Sequence, residues 1–197
     1  MSSSSSSEIL IRKLQQISEL READLAILRG IAIQEKAFQS NHNLVLEGDK
    51  PSQSFVVLDG LVGSTKYTGE GKRQITSFFV TGDIPDLHGL HLSVMDCTFS
   101  TLTPSRIGFM RHDTLRAICE QHPRIATALW RSTLIDAAIY REWVTNVGRR
   151  EPSPAWLTSC ANSSVACVRQ GASRTTWPTF LSPRQRLVMP WACRRCT

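Results

Sequence analysis

No stretch of this 197-residue chain is apolar for long enough to cross a bilayer, and its start lacks a cationic region followed by an apolar core. Neither a membrane anchor nor a secretory leader is therefore expected, and the expected location is the cytoplasm. The sequence also has no phosphate-cradling Walker loop, no G-x-S-x-G elbow and no plausible catalytic triad, so enzymatic activity is not expected. No cysteine precedes Cys97. The six that exist (Cys97, Cys119, Cys160, Cys167, Cys193 and Cys196) are scattered, which suggests reduced thiols rather than a disulfide framework. Acidic residues are scarce in one place only. Residues 1–150 hold 17 Lys and Arg against 16 Asp and Glu, whereas residues 151–197 hold 6 against 1. The net charge of +6 belongs to the tail, and by itself it does not argue for nucleic-acid binding.

What the chain does have is rhythm. Between Asn43 and Leu90, short apolar runs alternate with glycine turns: Leu44 to Leu46 before Glu47-Gly48-Asp49, Phe55 to Leu58 before Asp59-Gly60, Lys66 to Thr68 before Gly69-Glu70-Gly71, and Ile75 to Val80 before Gly82-Asp83. Val, Ile, Phe, Tyr and Thr fit pleated surfaces, and Gly and Asp accept the backbone angles of tight turns. The fold class this predicts is mainly β plus α, a jelly-roll or similar double-sheet barrel.

The order of these runs, with E-G-D, V-x-x-G-x-V, G-x-G-K and G-D-I at the turns, resembles the cyclic-nucleotide-binding barrel of the Crp/Fnr transcription regulators over roughly residues 28–150. The resemblance implies that Gly48, Gly60 and Gly82 sit where a Cβ would clash, and that Gly69-Glu70-Gly71 is a hairpin tip. It implies a long dimerisation helix after the barrel, then a winged helix-turn-helix that reads DNA. It also places an effector pocket around Gly82, Asp83, Ile84, Pro85, Asp86 and Leu87, with Thr98 and Ser100 beyond.

That pocket departs from the cyclic-AMP pattern. Pro85-Asp86 stands where Gly-Glu is expected, and Val94 to Ser100 contains no Arg to pair with a cyclic phosphate. A buried phosphate without a cation is poorly compensated, and Asp83, Asp86 and Asp96 would make the pocket anionic, so cyclic AMP is not the expected effector. The iron–sulfur cluster of the family's oxygen sensors is excluded by the absence of N-terminal cysteines. His88 and His91 with Cys97 could be drawn as a metal or haem site. An i, i+3 histidine pair in a loop is more often structural, and no further ligands stand at diagnostic spacing, so neither metal nor cofactor is expected.

Four parts follow along the chain. Residues 1–27 comprise a serine run, Ser2 to Ser7, read as flexible, then an amphipathic helical segment from Glu8 to Arg29. Residues 28–121 are the barrel with a short helix from Arg111 to Gln121. Residues 122–150 form the helix that starts at His122-Pro123, with one apolar stripe through Trp130, Leu134, Ala137 and Val144 and another through Ile125, Leu129, Ile139, Trp143 and Val147. One stripe could cover the barrel while the other meets a second copy, giving a homodimer through Ile125, Leu129, Trp130, Leu134, Ala137 and Val144.

Residues 151–197 are irregular and basic. Read from the third base of each codon, Pro154 to Ser163 is compatible with Arg-Val-Ala-His-Leu-Leu-Cys-Glu-Leu. The region from Pro183 to Arg194 is likewise compatible with Thr-Gln-Ala-Glu-Ile-Gly-Asp-Ala-Leu-Gly-Met-Ser. The first resembles the end of the family's dimer helix and the start of its DNA-binding domain, and the second resembles the first helix and turn of a helix-turn-helix. The tail therefore reads as out of frame with a helix-turn-helix, and Cys193-Arg194-Arg195-Cys196 as accidental. The functional expectation is the effector-sensing and dimerising part of a Crp/Fnr-type regulator whose DNA-reading part is lost. The alternatives are a stand-alone cyclic-nucleotide-binding module and a dimerisation platform that does not bind DNA.

Overall fold

A computed structural model describes residues 3–67 and 69–149, and the tail beyond Arg149, with all the readings made of it, lies outside the described residues. The chain opens with helices α1 (Ser3–Ile17) and α2 (Glu22–Arg29). Seven strands follow: β1 (Gln34–Phe38), β2 (Asn43–Val45), β3 (Gln53–Asp59), β4 (Val62–Tyr67), β5 (Arg73–Phe79), β6 (Thr98–Thr101) and β7 (Ser105–Arg111). A 3-10 turn, Leu87–Leu90, lies between β5 and β6, and helices α3 (His112–Gln121) and α4 (Pro123–Arg149) complete the described chain. The strands form two antiparallel sheets, in the orders β1-β7-β3 and β2-β6-β4-β5, the double-sheet barrel expected from the turn rhythm.

Strand β3 shows how its sequence dictates this arrangement. Successive side chains on a strand point to opposite faces, so a strand buried on both faces reads as an unbroken apolar run. Phe55 and Val57 enter a core between the sheets, with Val45, Val62, Phe79, Met95, Phe99 and Ile107. Val56 and Leu58 enter a second core, where Leu10, Ile11 and Leu14 of α1, Leu25 and Leu28 of α2, Leu115 of α3 and Ile125 and Leu129 of α4 pack against the three-stranded sheet.

Three sequence expectations are corrected here. Ser3 to Ser7 of the serine run open α1, with Ser6 and Ser7 buried and the Ser6 hydroxyl donating to the Glu35 carboxylate, because small side chains let the helix approach β1. The segment from Glu8 to Arg29 is two helices, since the Arg21 N–H donates to Asp24 Oδ2 at 2.9 Å and starts a new helix. Gly60 and Gly82 do sit where a Cβ would clash, at 2.3 Å from Ser105 Oγ and 2.9 Å from Lys13 Cβ, but Gly48 has open space and is required only for its φ of +90°.

The described side chains at the start of α4 distinguish its two stripes. Of the six residues named for the dimer, Ile125 and Leu129 are buried in the chain's own core. Trp130, Leu134 and Val144 are 65%, 50% and 68% exposed, with Ala137 half-buried beside them. At 100° per residue, Trp130, Leu134, Ala137 and Val144 lie on one face of the helix, opposite Ile125 and Ala128. Ile139 is half-buried, and the side chains of Trp143 and Val147 lie outside those described. Among the described residues, no helix is long and apolar enough to cross a membrane.

Candidate functional site

The segment joining β5 to β6 is pinned at each stage of its course. Gly82, at φ +94°, makes the turn that leaves β5, and the Asp83 carboxylate accepts the Val80 N–H at 2.8 Å. The chain then runs along the open edge of β3. Gly82 N donates to Val57 O at 2.8 Å, Val57 N to Asp83 O at 3.0 Å, and Phe55 N to the Asp86 carboxyl Oδ1 at 3.0 Å. A side-chain oxygen thus completes a ladder that two backbone bonds began, and β3 is left with no bare edge there.

Asp86 is completely buried, and its Oδ2 has no hydrogen-bond partner among the described residues. Burial pushes its carboxyl up to about 8, opposed by the backbone N–H groups of Phe55 and of Asp86 itself. Ile84 and Leu87 beside it enter the helix-side core, and Pro85 is buried. Both ends of the segment are tied to helices. Lys13 of α1 pairs with Asp83 at 2.7 Å, and Arg116 of α3 donates through Nε (3.1 Å) and Nη2 (2.8 Å) to the Leu90 carbonyl that ends the 3-10 turn. His112 of α3 shares a hydrogen bond of 3.0 Å with Ser54 Oγ, and burial, with Arg116 nearby, lowers its pKa.

The eight candidate pocket residues come from two parts of the fold. Gly82 to Leu87 follow the β3 edge, while Thr98 and Ser100 belong to β6 in the other sheet. Alternation around Phe99, which fills the inter-sheet core, turns Thr98 and Ser100 to the opposite face. There Thr98 Oγ1 accepts the Glu47 N–H at 3.0 Å and Ser100 Oγ donates to Asn43 Oδ1 at 2.8 Å, bonds that tie β6 to β2 and the turn after it.

Several contacts were not anticipated from the sequence. A bulge in the β4–β5 pairing brings Thr76 Oγ1 within 2.8 Å of Ser64 Oγ. The His88 ring lies 6.1 Å from that of Phe99, with its Nε2 3.3 Å from Asp96 Oδ1 but making no hydrogen bond. On β5, Arg73 Nε and Nη2 are buried without a hydrogen-bond partner among the described residues. None of these follows from motif spacing, and only the bulge's local break in alternation leaves any sequence trace. Cys97 is no metal ligand in waiting: burial first, with Asp96 adding, pushes its thiol up to about 12. Among the described residues, no three His, Cys, Asp or Glu side chains gather as a metal set.

Comparison with known proteins agrees with the barrel. Residues 35–122 match the family model of the cyclic nucleotide-binding domain. No curated protein matches the chain. Among solved structures, FixK2 from Bradyrhizobium japonicum is similar with a TM-score of 0.55 and 19% identity over 60% of this chain and 59% of its own. The N-terminal domain of a transcriptional regulator from Streptomyces coelicolor A3(2) follows at 0.52 and 20%, covering 68% and 94%. The regulatory domain of Toxoplasma gondii PKA, solved with cAMP, stands at 0.52 and 21%, covering 74% and 51%. At such identities the likeness is one of fold alone, and the chain spans about three fifths of FixK2.

Proposed function

We propose that this chain is the effector-sensing and dimerising part of a Crp/Fnr-type transcription regulator, with a barrel sensor at 35–122 and α4 as the dimer helix. The observation that carries the reading is α4 itself, which buries Ile125 and Leu129 on its own barrel and still exposes Trp130, Leu134 and Val144 on the other side. An apolar stripe spaced by four and three residues suits a second copy of the same helix. The effector segment is Gly82 to Leu90, since it is tied to α1 through Asp83 and to α3 through Arg116, and α3 leads directly into α4. A state change there can bias the dimer helix.

The effector is a small molecule or ion other than cyclic AMP. Asp83 is committed to Lys13, Asp86 is sealed in the core, and Val94 to Ser100 supplies no cation. We further hold that the tail from about Glu151 is out of frame with a helix-turn-helix, so that this product does not read DNA site-specifically.

Three measurements test the reading. Sedimentation equilibrium should give a dimer that Leu134→Asp converts to monomer, and a monomeric wild type sinks it. Resequencing codons 145 to 197 should reveal an open shifted frame that continues into a winged helix, whereas a tail confirmed in frame removes the DNA-binding history. Titration with cyclic AMP should leave the amide resonances of residues 82–100 unmoved, and saturable shifts there would favour the stand-alone nucleotide-binding module instead.

A further inference from the structure

Asp86 has no part in that proposal beyond its place in the segment, yet it is the most unusual polar group described. It is completely buried, it contributes one oxygen to the edge of β3 through the Phe55 N–H, and its other oxygen has no hydrogen-bond partner among the described residues. A carboxylate placed there would be a bare charge between apolar neighbours, whereas a neutral acid fits the same geometry and still accepts the Phe55 N–H.

The polar groups on the neighbouring elements are otherwise occupied, except for the His88 Nε2, which makes no hydrogen bond among the described residues. Ser54 of β3 is bound to His112 of α3, and Arg116 of α3 holds the Leu90 carbonyl. His88 of the turn stands by Asp96, and Lys13 of α1 pairs with Asp83. From α2 and α4 the same core receives Leu25, Leu28, Ile125, Ala128 and Leu129, which are apolar.

We infer that the Asp86 carboxyl is a proton-operated latch, closing Gly82–Leu90 onto the β3 edge while protonated and releasing the segment when the proton passes to water. In the ionised form the charge must be hydrated, and the shortest route to water is for the segment to leave β3, breaking the Phe55–Asp86, Val57–Asp83 and Gly82–Val57 bonds together. The lever lies between α1 and α3, so release loosens Lys13 from one side and Arg116 from the other. The regulatory meaning rests on the sensor reading given above, but the latch is tested without DNA, dimer or effector, and either can fail alone.

The test is hydrogen–deuterium exchange on the whole chain between pH 6 and 9.5, corrected for intrinsic rates, followed at peptides covering residues 53–59 and 82–90. As pH rises toward the midpoint of the carboxyl, protection of these two peptides should fall about tenfold per pH unit and then level off above it, while peptides of β4 and β6 hold steady. Asp86→Asn should abolish the pH dependence. A uniform loss across all peptides, or the same profile in the variant, overturns the latch. If the variant does not fold, the carboxyl carbon resonance of Asp86 in wild type decides. Titration near pH 8 upholds the latch, and titration below pH 6 overturns it.

Discussion

Replacing Asp86 by Asn should remove one large contribution to the pH dependence of stability without changing the shape of the side chain. In the unfolded chain an aspartate titrates near 4, and in the fold burial holds Asp86 up to about 8. Between those values the folded protein carries a proton that the unfolded chain has lost. Stability is therefore full below pH 4, falls by about 1.4 kcal/mol per unit as pH rises toward 8, and levels off above it. At pH 7 the accumulated loss is about 4 kcal/mol, a large share of the ~5–15 kcal/mol that holds a domain together.

Asparagine keeps an oxygen for the Phe55 N–H but sets an NH₂ where Oδ2 had no partner, which costs about 1–3 kcal/mol. The variant should thus be slightly weaker than wild type near pH 4.5, cross it between about pH 5 and 6, and exceed it by a few kcal/mol at pH 8, as follows from the same slope. Urea unfolding across this range, with m unchanged, reads the difference directly, and all other titrating groups cancel between the two proteins. Parallel curves would show that Asp86 is ionised in the fold, and the argument from its burial would be wrong.

Three further outcomes follow from the packing. Leu129→Ala should cost about 2–5 kcal/mol because it empties a core position, whereas Leu134→Ala should change the stability of the protomer by less than about 0.5 kcal/mol. Thermal unfolding at low concentration separates the two, and equal effects would contradict the assignment of faces on α4. Gly60→Ala combines φ of +93° with a Cβ 2.3 Å from Ser105 Oγ and should cost several times the ~1 kcal/mol expected at Gly48, where only the angle resists. Cys97, with its thiol held up to about 12, should resist iodoacetamide at pH 8 until the chain is unfolded, and prompt labelling of Cys97 in the native protein would refute its burial.

The strands that announce themselves in the sequence are those whose apolar run meets a glycine turn: β3 before Gly60, β5 before Gly82, and β4 before Gly69. Helices α3 and α4 were legible from the proline at 123 and the uninterrupted stretch behind it. What stayed hidden has a physical cause in each case. Strand β1, Gln-Glu-Lys-Ala-Phe, has no buried residue and so no alternation to read. Strand β6 is four residues long, and all four are buried. Strand β7 holds Gly108, a residue that strands usually avoid, because its Cβ would lie 2.5 Å from Ile33. The segment Gly82–Leu87 was singled out by its resemblance, but nothing in its spacing reveals that the Asp86 side chain turns into the core to cap a strand edge. Likewise the two stripes of α4 were visible, and only tertiary packing could say which one the barrel claims.

Strand β3 is a party wall. Its four central residues, Phe55 to Leu58, feed two rooms by turns, so neither the inter-sheet core nor the helix-side core can be emptied while the other stays furnished. A slip of one residue along β7 would exchange the tenants of both. The barrel and the helices packed on it therefore melt as one cooperative body, and a substitution in either core invites a compensating change on the far side of the wall.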